Sequence, residues 1–415
     1  MSARLTHPEC AALLDPLFAF GGKRVAAIIL MFRTPKEPIA MLKTQTMITA
    51  LHNLQIVSDG NITRGKAVLI SGSQITDIIN EHSIPENAEK TDLEGAFLAP
   101  GFIDLQLYGS GSRLLSIDTD EATLLQMEDD LLEQGTTGFF PTISTNTDEV
   151  IEETIRVCRN YREKARGNFL GLHLEGPFLN PIRRGAHNAD FIKKATLPLV
   201  EKWLAMADGV ITMMTIAPEL QDQEVIDYLD DHGVILSSGH SNATYKQGKG
   251  FLNNPIPAVT HIYNAMPQMH HRDPGYIPAI FEERPYTSIV PDGIHVDFVM
   301  ARLAKRELGD KLFFITDSVT ETDHGPYQHK FTGDRYVLPD GTLSGSCLTM
   351  LKCVENGVNH FGLGLAESVN MATLYPAQLA KFKKGRITAG FDADFTAFDD
   401  NFKLKGTFLA GKRMN

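Results

Sequence analysis

The stretch Phe169-Leu-Gly-Leu-His-Leu-Glu-Gly-Pro-Phe178 drives an apolar run into a carboxylate, Glu175, and breaks it at once with Gly-Pro. A short run of large apolar residues closed by turn formers reads as a buried strand. A carboxylate at the tip of such a strand requires a counter-charge, because an isolated charge leaves water only at great cost. Two downstream runs, Val234-Ile-Leu-Ser-Ser-Gly-His240 and Ala258-Val-Thr-His261, each end in a histidine. One Glu and two His at strand tips form the donor set of a divalent cation of the zinc or iron type.

Working outward, the same rhythm recurs. Candidate strands also lie at Phe102–Gln106, Gly138–Pro141, Thr212–Ala217, Thr287–Asp292 and Lys311–Asp317. Between the early ones, Glu121–Gly135 and Asp148–Ala165 carry helical periodicity. Eight strand-then-helix units over 99–380 predict an α/β fold, a (β/α)8 barrel. In that architecture the strand ends face one mouth, which gathers Gln106, Glu175, His240, His261, Asp292 and Asp317. Short β-type runs with turn signals fill 47–98 and recur in 381–415, as at Gly385–Thr388 and Leu404–Leu409. The two terminal segments together predict a small β-sandwich domain. Residues 1–46 lack clear periodicity and read as an N-terminal extension, either disordered or upstream of the true start at Met47.

With 415 residues, 43% hydrophobic and 22% charged, the chain has ordinary globular composition. A formal charge of −12 argues against a nucleic-acid or anionic-membrane partner. No run reaches the roughly 20 apolar residues of a membrane span. The four cysteines show no Cys-x-x-Cys pairing, which fits a reducing, cytoplasmic setting.

Each candidate site residue has a plainer reading beside the functional one. His240 or His261 alone could be a satisfied core histidine, and Glu175 alone half of an ion pair; their common placement at strand ends is what points to metal. Asp317, closing the eighth strand, is either a helix N-cap or a general acid/base. His295, after the turn at 291–293, is either structural or a donor to a substrate carbonyl. Asn264 and Ala265 could give an amide and a backbone N–H to an anion. Arg272 is a candidate phosphate clamp or a solvated loop arginine. His187 sits beside Arg183 and Arg184 in a basic loop, and Leu343-Ser-Gly-Ser346 is a turn able to present backbone to a ligand.

Longer strings carry a family resemblance: Ala99-Pro-Gly-Phe-Ile-Asp-Leu-Gln106, Gly171 to Asn180, Gly185-Ala-His-Asn188, Ser238-Gly-His-Ser-Asn-Ala243, Thr260 to Pro267, Asp292-Gly-Ile-His-Val-Asp297, Thr316-Asp317 and Leu343–Ser346. Over 47–415, in this order, the chain resembles the amidohydrolase superfamily and, within it, the N-acetylglucosamine-6-phosphate deacetylases. The resemblance implies hydrolysis of the acetamide of N-acetyl-D-glucosamine 6-phosphate to D-glucosamine 6-phosphate and acetate. It implies Glu175, His240 and His261 as metal ligands and Asp317 as the acid/base; of the two readings of His295, the catalytic donor to the carbonyl is the one expected. It places Ala186, His187, Asn264, Ala265, Arg272, Asp292, His295, Leu343, Ser344 and Gly345 on the sugar phosphate. It further implies a homodimer in which Arg272 reaches the neighbouring site. Many amidohydrolases carry His-x-His on the first strand, where this chain has Gln106-Leu-Tyr108. Gln and Tyr are poor ligands for a second cation. The expectation is therefore one divalent metal per subunit, with zinc first and iron or cobalt also suited.

Overall fold

The computed structural model describes residues 47–415, so the expectation for 1–46 lies outside the described residues. Its centre is a sheet of eight parallel strands: β1 (Phe102–Leu107), β2 (Thr136–Ser144), β3 (Leu172–Glu175), β4 (Ile211–Ile216), β5 (Ile235–Ser238), β6 (Ala258–Val259), β7 (Tyr286–Ile289) and β8 (Leu312–Phe314). They are hydrogen-bonded in chain order. The ends join where the Asp317 amide donates to the Gln106 carbonyl at 3.0 Å and the Tyr108 amide to the Ser318 carbonyl at 2.9 Å. The expected (β/α)8 barrel is present.

Side chains alternate across a strand, so neighbours on β3 face opposite ways. Leu172 and Leu174 join Ile155, Cys158, Val200 and Trp203 in the core between barrel and helices. His173 and Glu175 turn inward. His173 lies deep in the barrel, with Nδ1 3.0 Å from the Leu105 carbonyl and Nε2 2.8 Å from Thr215 Oγ1. Thr215 in turn meets Thr260, and Thr260 meets Ser237, at 2.8 and 2.6 Å. Burial lowers His173 to about 4, so this histidine is a neutral strut one layer beneath the mouth.

Helices follow from local chemistry as expected. The helix Asp148–Arg162 is capped by the Thr147 side chain on the Val150 amide, with Asp148 and Glu149 in its first turn and Arg159 and Arg162 in its last. That charge order suits the helix dipole. The helix Glu121–Glu133 is capped by Asp120 on the Thr123 amide.

Two further sheets come from the terminal segments. One pairs strands 74–80, 66–71, 48–52 and 89–92; the other pairs 412–413, 404–409, 395–398, 97–100, 55–58 and 61–64. They share a core that includes Leu51, Val68, Leu98, Phe395 and Phe408. The segment Gly385–Thr388, expected as a strand, is irregular. Gly385 has φ +80°, and a Cβ there would lie 2.6 Å from the Thr373 carbonyl oxygen, so the chain passes another backbone too closely to form a ladder. Ile387 is instead buried, its amide bonded to Ser58 Oγ.

Asp104 fastens the barrel seam. Its buried carboxyl accepts from the amides of Gln106 and Thr316 at 3.2 Å each and from the Thr316 hydroxyl. Burial raises it to about 7, the Thr316 bonds opposing. A carboxyl whose folded pKa exceeds its unfolded value destabilises the fold as it ionises. Between about pH 4 and about pH 7, this component of stability should fall by a few kcal/mol as pH rises. Urea unfolding across that range should show the decline in the wild type and a flatter profile in Asp104→Asn.

Candidate active site

The residues that close the barrel strands gather at one mouth around a cavity of about 150 Å³. Three of them leave the strand ladder early. His240, His261 and Asp317 have φ values of +48°, +34° and +54°, and Tyr263 and Ala265 follow at +76° and +50°. Left-handed backbone at non-glycine residues costs about 1–3 kcal/mol each and collects at functional sites. It also explains why the observed strands stop at Ser238, Val259 and Phe314, short of the expected ends.

Glu175, 2% exposed, is the hub. Its Oε1 lies 3.1 Å from His261 Nε2, 3.4 Å from His240 Nε2 and 2.9 Å from Gln106 Nε2. Its Oε2 accepts from the Tyr108 hydroxyl and lies 3.1 Å from His187 Nε2. Burial works to raise this carboxyl, but the imidazoles of His187, His240 and His261 outweigh it and hold it well below the usual range. Burial lowers His240 to about 4.

Hydrogen bonds sort the three imidazoles. His240 Nδ1 is 2.8 Å from the Arg183 carbonyl, so that nitrogen carries the proton and Nε2 presents a lone pair. The Thr145 amide donates to His187 Nδ1 at 3.2 Å, which puts the His187 proton on Nε2, facing Glu175. Ligand atoms of Glu175, His187 and His240 all lie within 4.8 Å of one another, a cation-sized group. In this tautomer, however, His187 Nε2 is a donor rather than a ligand. The better fit is His261, whose Nε2 lies 3.1 Å from that of His240 beside the same carboxylate oxygen. Two imidazole nitrogens converging on one carboxylate oxygen suit a shared divalent cation, and a Glu-His-His set leaves room for water.

Across the cavity, Asp317 Oδ1 accepts from Gln106 Nε2 at 2.9 Å and lies 3.3 Å from the Tyr108 hydroxyl. Burial raises Asp317, with His261 opposing and Glu175 adding to the rise. The Tyr108 hydroxyl is pushed well above its usual range by burial and by the Asp317 and Glu175 charges, and so stays a neutral donor.

His295 lines the cavity; Asp292, expected on the substrate, is not among the lining residues. One Asp292 oxygen accepts from the amides of Ile294 and His295 at 2.8 and 2.7 Å, the other lies 2.6 Å from His295 Nδ1. Asp292 therefore holds the imidazole through Nδ1. Ala186, His187, Asn264, Ala265, Leu343, Ser344 and Gly345 line the same cavity. Arg272 does not; it is exposed and contacts His271. Tyr327 and His329, which also line the wall, carried no pattern in the sequence, since both lie in an irregular loop.

A cation-sized donor set facing a second buried carboxylate, at the mouth of a (β/α)8 barrel, fits a metal-dependent hydrolase. The profile of the amidohydrolase family matches residues 97–414, and the chain belongs to that family. It is similar to the N-acetylglucosamine-6-phosphate deacetylase of Haemophilus influenzae, 34% identical over 378 residues, which cover 88% of this chain and 98% of the relative. The enzyme of that name from Danio rerio is 33% identical, with 78% and 86% covered. The crystal structure of the Pasteurella multocida N-acetylglucosamine-6-phosphate deacetylase superposes with a TM-score of 0.84 at 33% identity, covering 88% of this chain and 99% of that one.

Gly176, next to Glu175, has φ +89°, and a Cβ there would meet Thr145 Oγ1 at 2.1 Å. Gly176→Ala should lower stability by about 2 kcal/mol or more through strain and overpacking, read as a lower thermal midpoint.

Proposed function

We propose that this chain hydrolyses the acetamide of N-acetyl-D-glucosamine 6-phosphate, releasing acetate and D-glucosamine 6-phosphate. The observation that carries the reading is the Glu175–His240–His261 cluster facing Asp317 across one small cavity. Its support is the length over which the chain matches deacetylases of this sugar phosphate.

Glu175, His240 and His261 would hold one divalent cation, with Zn²⁺ first and Fe²⁺ or Co²⁺ also suited. When bound, that cation supplies Lewis acidity to the amide carbonyl and the attacking water. Asp317 takes the proton of the water as it adds to the carbonyl carbon. His295, aimed by Asp292, donates to the carbonyl oxygen as negative charge grows there. Asp317 then returns its proton to the nitrogen as the C–N bond breaks, leaving a neutral amine and acetic acid, which gives up its remaining proton to the amine or to solvent and departs as acetate.

The lining of the cavity contains no lysine or arginine among the described residues. A phosphate there would rest on Asn264, the Ala265 amide and imidazoles. Its remaining counter-charge would come from Arg272 of a second copy in a homodimer. Among the described residues no helix is long and apolar enough to cross a membrane, and a cytoplasmic setting fits a phosphorylated substrate.

Acetate release should be at least ~100-fold faster, as kcat/KM, from the 6-phosphate than from the unphosphorylated sugar, equivalent to about 2.7 kcal/mol of phosphate recognition. Asp317→Asn should cut kcat by about 100-fold or more while substrate affinity stays within about threefold. Metal analysis should find one equivalent per chain; two tightly bound equivalents would contradict the single-cation site.

A further inference from the structure

Glu175 presents its two oxygens to different neighbours. Oε1 faces the Nε2 atoms of His240 and His261, the side on which a cation would sit. Oε2 faces away, toward the Tyr108 hydroxyl and His187 Nε2. The terminal torsion of a glutamate is broad and roughly two-fold, so packing alone does not choose which oxygen points at the imidazoles. The donors around it do: the Tyr108 hydroxyl and His187 Nε2 sit on Oε2, while Oε1 has only Gln106 Nε2 at 2.9 Å beside the two histidines.

The tyrosine is itself constrained. It is buried, and the nearest side-chain nitrogen, Gln106 Nε2 at 2.8 Å from its oxygen, can only donate and so cannot take the tyrosine proton. Its single proton remains for a carboxylate. Two carboxylates compete for it, and Glu175 Oε2 is closer than Asp317 Oδ1, which lies at 3.3 Å. Gln106 Nε2 lies 2.9 Å from both carboxylates, sharing its two protons among these oxygens and that of Tyr108. The amide and the hydroxyl thus fill the ground between Glu175 and Asp317.

We propose that Tyr108 is a positioning residue, a neutral hydroxyl that pins Glu175 Oε2 so that Oε1 alone is presented with His240 and His261 as one ligand face. This rests on the reading of those three residues as a cation site. Tyr108 here acts through Glu175 and not on substrate. Removing a group that orients a metal ligand typically weakens metal binding or activity by about 10–100-fold.

The test compares wild type with Tyr108→Phe, which deletes one oxygen atom. Zn²⁺ affinity is measured against a competing chelator without substrate, alongside the thermal midpoint of the metal-free protein, kcat and KM. The expected result is Zn²⁺ binding weaker by about 10–100-fold, with kcat lowered under limiting metal and KM within about twofold. Tyr161→Phe is the control: that hydroxyl also donates to a buried carboxylate, Glu128, but outside the cavity. It should lower the thermal midpoint and leave Zn²⁺ affinity unchanged. Unchanged Zn²⁺ affinity in Tyr108→Phe would overturn the proposal, as would a raised KM with intact metal binding or a chain that no longer folds. A wild-type protein that binds no Zn²⁺ would instead remove the cation site itself.

Discussion

Glu175 is a full charge placed where almost no water reaches it, and the mouth of the barrel is organised around making that tolerable. An uncompensated buried carboxylate would pick up a proton or unfold the site. Here it is surrounded by three imidazoles, an amide and a phenol, and three of these groups are held in turn from behind. The Arg183 carbonyl holds His240, the Thr145 amide holds His187, and Gln106 is the donor to Tyr108. Removing any one partner leaves a buried polar group unsatisfied. The constraint therefore reaches well beyond the ligand set.

The barrel supplies what this hub needs. Parallel strands bring Glu175, His240, His261 and Asp317 to the same end from positions far apart in the chain. Left-handed backbone at three of these four residues then turns their side chains across the mouth rather than along the strands. The strain is held by the packing beneath, including the neutral His173 strut and the hydroxyl chain from Thr215 to Ser237. At the seam, Asp104 ties the first strand to the segment after the last, which also sets the position of Asp317.

The division of labour among polar residues is sharper than residue type suggests. Asp292 and Asp317 are both strand-end aspartates. Asp292 spends both oxygens on its own turn and on His295, whereas Asp317 keeps one side toward the cavity. His187 and His261 both lie close to Glu175, yet the Thr145 amide makes His187 a donor to one carboxylate oxygen, whereas His261 Nε2 converges with that of His240 on the other. Such distinctions arise from backbone groups that have no signature of their own in the sequence.

The sequence alone was enough for the barrel and for most of the mouth. Strand-length apolar runs ending in Glu, His or Asp are local patterns, and a parallel barrel places all strand ends at one face, so Glu175, His240, His261, Asp317 and His295 could be gathered by reading along the chain. The Gln106-Leu-Tyr108 string likewise marked the missing pair of histidines. Tertiary structure decided the rest. Tyr327 and His329 reach the cavity from an irregular loop without periodicity, and Asp292 turns to His295 because its own turn offers the nearest donors. Which nitrogen of His187 and of His240 bears its proton, and which oxygen of Glu175 faces the histidines, depend on donors and acceptors contributed by other strands and loops. Those are distance-dependent contacts between residues remote in sequence, and only the folded chain brings them within hydrogen-bond range.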